Sequence, residues 1–249
     1  MKIVIIGGTG FIGKKLTPLL TAAGHDVFAA APSTGVDTVT GEGLAEALEG
    51  AAVVVDVTNP KSFEESEARS FFTTSTSNLL AAEKAAGVAH HIAVSVVGAD
   101  RMDSGYMRAK TAQEKLIAEA GVPYTIMRAT QFFEFLGPIA DFSTVDGEVH
   151  LPPVSMQPVA ANDVAKTLSK LVEGKPANGV VELAGPEKRP MPELVQTVLG
   201  AKKDARKVIA DPGSTYFGAK VDDSSLVPAF ANPRIGAIGF AAWLETQKD

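Results

Sequence analysis

Residues 1–13 read Met1-Lys2-Ile3-Val4-Ile5-Ile6-Gly7-Gly8-Thr9-Gly10-Phe11-Ile12-Gly13, and this stretch decides the fold. The apolar run at residues 3–6 predicts a buried strand, and the pattern over residues 11–23 predicts a helix directly after it. Gly7, Gly10 and Gly13 stand between these elements and just inside the second at GxxGxxG spacing. In a strand–turn–helix setting the first glycine lets the chain turn, the second lets a pyrophosphate approach the backbone, and the third lets helix pack on strand. The helix N-terminus then faces the phosphates, where aligned N–H groups favour an anion. This turn, with Thr9, Phe11 and Ile12 among its glycines, is expected to hold a nicotinamide dinucleotide.

Outward from the turn, β-branched runs alternate with helical stretches. Strands are expected at residues 27–31, briefly at Thr38 and Val39, and at 52–57, 91–97 and 124–128; helices are expected at 44–48, 64–86 and 105–120. Such alternation implies parallel strands joined by crossover helices, here a Rossmann-like doubly wound α/β sheet of six strands. Val53, Val54 and Val55 are apolar on both faces, as a sheet covered on both sides requires. Pro18 interrupts the first helix and is expected to bend it or end it early.

Beyond Gln131 the regularity loosens around Pro138, Pro152, Pro153 and Pro158. A strand and helix return over residues 159–172, with Asn162 or Asp163 as N-cap. A further strand is expected at 180–183 and a helix at 191–199, and the tail from Asp211 carries no clear period. The chain therefore reads as one domain, 1–249. Residues 1–130 form the dinucleotide-binding core, and 131–249 mostly form a small C-terminal substrate-binding cap, with 157–185 returning to the core.

Composition narrows the chemistry. The 249 residues are 45% hydrophobic and carry a formal charge of -6, which opposes a nucleic-acid partner. With no cysteine and four scattered histidines, neither disulfides, thiolate chemistry nor a metal site is expected. His25, His90, His91 and His150 read as structural. The N-terminal apolar run is too short for a signal segment or a membrane span, so a cytoplasmic protein without membrane partners is expected. Phe71 and Phe72 on the long helix at 64–86 fit either core or a dimer face, leaving monomer and homodimer both open.

Cofactor choice should be set after the second strand, where an acid would bind the adenosine ribose and repel a 2′-phosphate. The strand instead runs into Pro32, Ser33 and Thr34, with Lys14 and Lys15 nearby. This favours NADP(H) over NAD(H), although Asp37 stands close enough to reverse the preference.

Ser95 lies in the strand at 91–97, Tyr106 opens the next helix, and Lys110 follows one turn later on the same helical face. The three suit hydride chemistry on a carbonyl. A phenol donates a proton to the developing alkoxide, an ammonium lowers the phenol pKa, and a serine hydroxyl polarises the oxygen. Lys110 is also expected to hold the nicotinamide ribose. The spacing recurs at Tyr216 and Lys220, but that copy follows no strand carrying a serine, so Tyr216 is expected to line the cap. Gln131, Phe132 and Phe133, followed by Glu134 and Phe135, fit either an apolar substrate pocket or ordinary core.

These residues resemble the short-chain dehydrogenase/reductase superfamily, in its atypical NmrA-like branch of NAD(P)-binding proteins. The resemblance rests on the glycine turn, Val55-Asp56-Val57-Thr58-Asn59, Ser95 before Val96-Val97-Gly98, Tyr106 to Lys110, and the stretch from Met127 to Glu134. It extends through Asn162-Asp163-Val164-Ala165 and Glu182-Leu183-Ala184-Gly185-Pro186-Glu187. It implies hydride transfer between NADPH and a small, hydrophobic carbonyl, quinone or enone, with Ser95, Tyr106 and Lys110 as the triad and Thr58 and Asn59 at the cofactor. The branch also contains regulators that bind the dinucleotide without turnover, which is the alternative reading. A nucleotide-sugar epimerase would need sugar-phosphate contacts that the cap sequence does not display.

Overall fold

Strand β1 (Lys2–Ile6) leads through the glycine turn into α1 (Gly13–Ala22). The alternation continues as β2 (Asp26–Ala30), α2 (Leu44–Leu48), β3 (Ala51–Asp56), α3 (Glu65–Ala86), β4 (His90–Val96), α4 (Gly105–Glu119) and β5 (Tyr124–Ala129). Then follow α5 (Leu136–Phe142), β6 (Thr144–Val145), β7 (Glu148–Leu151), β8 (Ser155–Met156), α6 (Ala161–Glu173) and β9 (Gly179–Ala184). The chain finishes with β10 (Arg189–Pro190), α7 (Met191–Ala201), β11 (Val208–Ala210), β12 (Arg234–Ile235) and α8 (Phe240–Glu245). The structure is a computed structural model describing residues 1–247; Lys248 and Asp249, the end of the expected domain, lie outside the described residues.

The main sheet has seven strands in the order β12-β9-β5-β4-β3-β1-β2, with a two-stranded sheet of β10 and β8 and a three-stranded one of β11, β7 and β6. From β1 the chain moves outward to β2, then crosses back to β3 and proceeds to β4 and β5. The order therefore reverses between β1 and β3, the switch point where open α/β sheets hold ligands. The glycine turn leaves the sheet there.

Two strand assignments differ from expectation. Thr38 and Val39 form a turn, because their carbonyls accept from the Asn78 amide at 2.9 Å each instead of from a neighbouring strand. The strand expected at 180–183 forms β9 and joins the main sheet, and the unexpected β12 brings the count to seven.

Burial on both faces explains the valine-rich strands. Val4, Ile6 and Val54 pack with Leu48 of α2 and Leu79 of α3, while Ile3, Ile5 and Val55 of the opposite face are equally inaccessible. The Glu173 carboxylate, at the end of α6, stands 3.8 Å from His25, which follows α1. Each such apolar side chain contributes about 1.5–3 kcal/mol when fully buried. Pro18 does not end α1, which continues to Ala22. The Thr17 and Thr21 hydroxyls donate to the carbonyls of Gly13 and Thr17 around it.

The described chain divides into two units, each assembled from separate stretches. The first comprises Met1–Ser95, Gly105–Arg128 and Val164–Val181; the second comprises Val96–Ser104, Ala129–Asp163 and the chain from Glu182 onward. In the second unit, acidic side chains accept backbone N–H groups of the tail. Glu182 takes those of Ala229 and Phe230, Asp163 that of Ile238, and Glu187 that of Phe240, at 2.7–2.9 Å. Asp163 thus sits inside the first turn of α6 and Asn162 beside it, neither as N-cap. The Ala161 N–H donates instead to the carboxylate of Glu134 at 3.2 Å. The Arg101 guanidinium donates to the carbonyls of Ser224 and Val227. Among the described residues no helix is long and apolar enough to cross a membrane.

Candidate functional site

At the glycine turn, Gly7 adopts φ +80°, a conformation that side chains disfavour. Its N–H donates to the Ala30 carbonyl at 2.9 Å. A β-carbon there would stand 3.3 Å from the Thr58 backbone nitrogen, so the turn lies against the end of β3. At Gly8 a β-carbon would come within 2.6 Å of the Ala29 Cα, and at Gly13 within 2.5 Å of the Gly8 Cα. The start of α1 therefore packs on the turn itself, through a Gly8–Gly13 contact that the three-glycine spacing does not reveal.

Gly10 differs from both. A β-carbon there would meet only the Gly7 carbonyl, at 3.1 Å, so the space over Gly10 is open beside the N-terminus of α1. That is the cradle a pyrophosphate needs, and these residues fit the cofactor that the fold implies. Gly10→Val is expected to leave the ligand-free protein folded, with a thermal midpoint within a few degrees of wild type. NADPH affinity should fall by about tenfold or more, since tenfold is only 1.4 kcal/mol. Titration by nicotinamide fluorescence alongside a melting curve checks this, and unchanged affinity would remove the phosphate role of the turn.

The loop over residues 32–43 carries the expected specificity groups. Pro32 and Ser33 are exposed after β2. The Thr34 hydroxyl donates to the carbonyls of Ala29 and Ala31 and accepts the Ala31 N–H at 2.9 Å. It caps the end of β2 and is thereby engaged, which corrects its expected role as a phosphate ligand. The Asp37 carboxylate accepts the Val39 N–H at 2.7 Å within its own loop. The Lys15 ammonium stands over the Phe11 ring at 5.3 Å.

Asp56, almost fully buried at the end of β3, organises the neighbouring groups. Its Oδ1 accepts the Thr58 N–H at 2.9 Å and the Thr58 hydroxyl at 2.6 Å, and its Oδ2 accepts from Gln113 Nε2 at 3.0 Å. Asn59 Oδ1, one residue beyond Thr58, accepts the Tyr106 hydroxyl at 2.8 Å. Gly105 sets the start of α4, since a side chain there would meet the Cα of Glu65 at 3.0 Å. Arg108 closes the same junction by pairing with the Glu65 carboxylate. The Tyr106 ring packs against Phe63 and Phe72 at 5.2 and 6.0 Å.

Lys110 departs from its expected role. Its ammonium donates to the Val94 carbonyl at 2.8 Å and to Gln113 Oε1 at 2.5 Å, and lies 4.4 Å from the centre of the Phe72 ring. Helical spacing does put Lys110 on the Tyr106 face, but a buried cation goes to the nearest acceptors, and no hydrogen bond joins it to the phenol. Burial lowers the Lys110 pKa to about 8 against the opposing pull of Asp56 and Glu114. Burial likewise holds the Tyr106 phenol well above its ordinary value. The expected lowering of the phenol pKa by Lys110 is therefore not found. Ser95 is almost fully buried in β4, and its Oγ has no hydrogen-bond partner; an orphaned hydroxyl in such a place is rare.

In the second unit, Gln131 is buried with both amide atoms unpartnered, and Phe132 stacks on Phe135 at 5.4 Å. Phe133 is 1% exposed and packs on Phe240 and Trp243, so it belongs to the core and not to a pocket wall. Tyr216 is buried, pairs through its backbone with Ala219, and meets Phe217 edge-on. Two of the histidines are held in buried bonds: His90 bonds Thr125 at 2.9 Å and His91 bonds Glu83 at 2.8 Å.

Sequence reasoning missed Gly8, Asp56, Asn78 and Gln113. Gln113 had a signal, since it follows Lys110 at i+3 on one helical face; the bonds from Asn78 to Thr38 and Val39 and from Gln113 to Asp56 join distant segments.

A family model described as NAD(P)H-binding matches residues 7–175. The photosystem II assembly factor Ycf39 of Cyanophora paradoxa is 25% identical over 217 residues, 79% of this chain and 67% of that protein. Among solved structures, a UDP-glucose 4-epimerase from Thermotoga maritima with UDP-glucose superposes with TM-score 0.73 at 16% identity, covering 98% of this chain and 96% of that one. A triphenylmethane reductase from Citrobacter sp., complexed with NADP(H), superposes with TM-score 0.64 at 20% identity, covering 86% and 80%. At these identities the two structures bear on the fold alone. The family match spans well over half of the sequence and begins on the glycine turn itself, and the chain belongs to the NAD(P)H-binding family.

Proposed function

We propose that this chain is an oxidoreductase of the NmrA-like branch that uses NADPH to reduce a small, hydrophobic carbonyl, quinone or enone. The observation that carries this reading is the continuity from Gly7 to Thr58, Asn59 and the Tyr106 hydroxyl, which sets a phenol beside the dinucleotide turn. NADPH, when bound, supplies the hydride. Tyr106 supplies the proton, and its raised pKa keeps that proton in place at neutral pH. The unpartnered Ser95 hydroxyl donates to the substrate oxygen. Lys110, through Gln113, offsets the buried charge of Asp56 instead of tuning the phenol.

Pro32, Ser33, Thr58 and Asn59 are assigned to the cofactor. The preference for NADP(H) is supported by the Asp37 carboxylate being engaged within its own loop. In the second unit, Gln131 and Phe132 are assigned to the substrate. The reading includes a cytoplasmic monomer or homodimer without nucleic-acid or membrane partners, in keeping with the net charge of -6.

Following NADPH absorbance with a panel of quinones, enones and aldehydes tests the activity. Turnover with at least one class is expected, and none with any class refutes the enzyme reading. Fluorescence titration is expected to show NADPH binding more tightly than NADH, and equal or reversed affinities refute the cofactor preference. A second reading, a dinucleotide sensor without turnover, is favoured by one observation: the Lys110 ammonium is directed away from the phenol.

A further inference from the structure

The loop over residues 32–43 is held from outside. Asn78, in the body of α3, directs both protons of its side-chain amide at the carbonyls of Thr38 and Val39, 2.9 Å each. Within the loop, the Asp37 N–H donates to the Glu42 carbonyl at 2.9 Å and the Gly41 N–H to the Asp37 carbonyl at 2.8 Å. Gly35 and Gly43 adopt φ +80° and +70°, and a β-carbon at Gly43 would collide with the Gly35 carbonyl oxygen. Inside this frame the Asp37 carboxylate accepts the N–H of Val39 at 2.7 Å and of Thr40 at 3.4 Å. The residue that fixes Thr38 and Val39 thus also fixes where the Asp37 carboxylate finds its partners.

We infer that Asn78 is a specificity-determining positioning residue: by fixing Thr38 and Val39 it keeps the Asp37 carboxylate on the loop's own N–H groups and away from the adenosine ribose. The inference rests on the reading of this loop as the adenosine end of the dinucleotide site. An acid after the second strand binds the ribose hydroxyls and repels a 2′-phosphate. Releasing the clamp therefore shifts preference toward NADH.

Wild type, Asn78→Ala, Asn78→Leu and the double variant Asn78→Ala/Asp37→Asn are titrated with NADPH and NADH by nicotinamide fluorescence. Asn78→Leu is close in size and uncharged but cannot donate to the two carbonyls, so it carries the measurement if Asn78→Ala folds poorly. Both single variants are expected to lower the ratio of the NADH Kd to the NADPH Kd by about tenfold, and the double variant to restore it. Parallel weakening of both cofactors with the ratio unchanged marks a merely structural clamp and overturns the inference alone. Wild type binding neither cofactor overturns the reading of the site, and the inference with it. Hydrogen exchange gives a readout free of cofactor: the Val39 amide is expected to be protected in wild type, and its fast exchange there overturns the clamp.

Discussion

Tyr106→Phe is expected to lower NADPH-dependent reduction by about 10²–10⁴-fold, the usual contribution of a positioned general acid. The phenyl ring retains the packing on Phe63 and Phe72, so the fold should survive. Only the hydroxyl and its bond to the exposed Asn59 are lost, and NADPH affinity should change by no more than about threefold, under 1 kcal/mol. Steady-state rates and a binding titration separate the two effects. A variant that turns over at the wild-type rate would falsify the acid role, and one that loses rate and affinity together would point to damage at the cofactor turn. The pH profile adds a second constraint. Were the Lys110 ammonium tuning the phenol, activity should change as Lys110 titrates near its pKa of about 8. With Tyr106 protonated by virtue of its own raised pKa, the profile should run flat through that pH.

The largest loss of stability is expected at the opposite end of β4. Glu83 and His91 are both fully buried, with His91 Nδ1 2.8 Å from Glu83 Oε1. Burial alone would depress the His91 pKa, but the Glu83 carboxylate, by charge and by hydrogen bond, and Asp56 outweigh it and raise the value above 6.5. Removing one partner of a buried ion pair typically costs about 3–5 kcal/mol, because the other is left desolvated and unpaired. Glu83→Ala should show a loss of that size in chemical denaturation, and a loss under about 1 kcal/mol would mean that the pair is not ionised in the folded protein.

Its neighbour titrates in the other direction. Burial, then the His91 charge, lowers the His90 pKa to about 4. A raised folded pKa gives stability that is complete below 6.5 and lost as pH rises through the folded value of His91. A depressed one gives stability that is complete above 6.5 and lost as pH falls toward the folded value of His90. The contribution of this histidine pair should therefore be greatest near pH 6.5. Denaturation midpoints across pH should retain the acid-side loss and lose the alkaline-side one in His91→Asn.

Much of the sheet was legible because its signals are local. The run into Gly7 marks β1 and the turn, and the β-branched core of β3 marks a strand buried on both faces. What failed was long-range. Thr38 and Val39 have strand-like side chains, yet the amide that takes their carbonyls lies on α3, and β12 is two residues long, too short to show a period. The site divides in the same way. Tyr106 and Lys110 were found from helical spacing, which places Cβ atoms on one face but says nothing of where a long side chain ends. The Val94 carbonyl and Gln113 decided that for Lys110. The Tyr106–Asn59 bond joins two segments that no pattern links, and only the fold displays it.

The interleaving of the two units has a consequence for synthesis on the ribosome. The glycine-turn unit needs the stretch Val164–Val181, and the other unit encloses residues as early as Val96–Ser104. A nascent chain that has just emerged through β5 therefore still lacks the α6 residues that belong to the glycine-turn unit. It has also exposed Val96–Ser104 before the tail segment bonded by Arg101 has been made. Contacts of such sequence separation form slowly, so neither half can complete itself vectorially. The growing chain is most open to chaperones and proteases in the interval between the emergence of β5 and that of the tail.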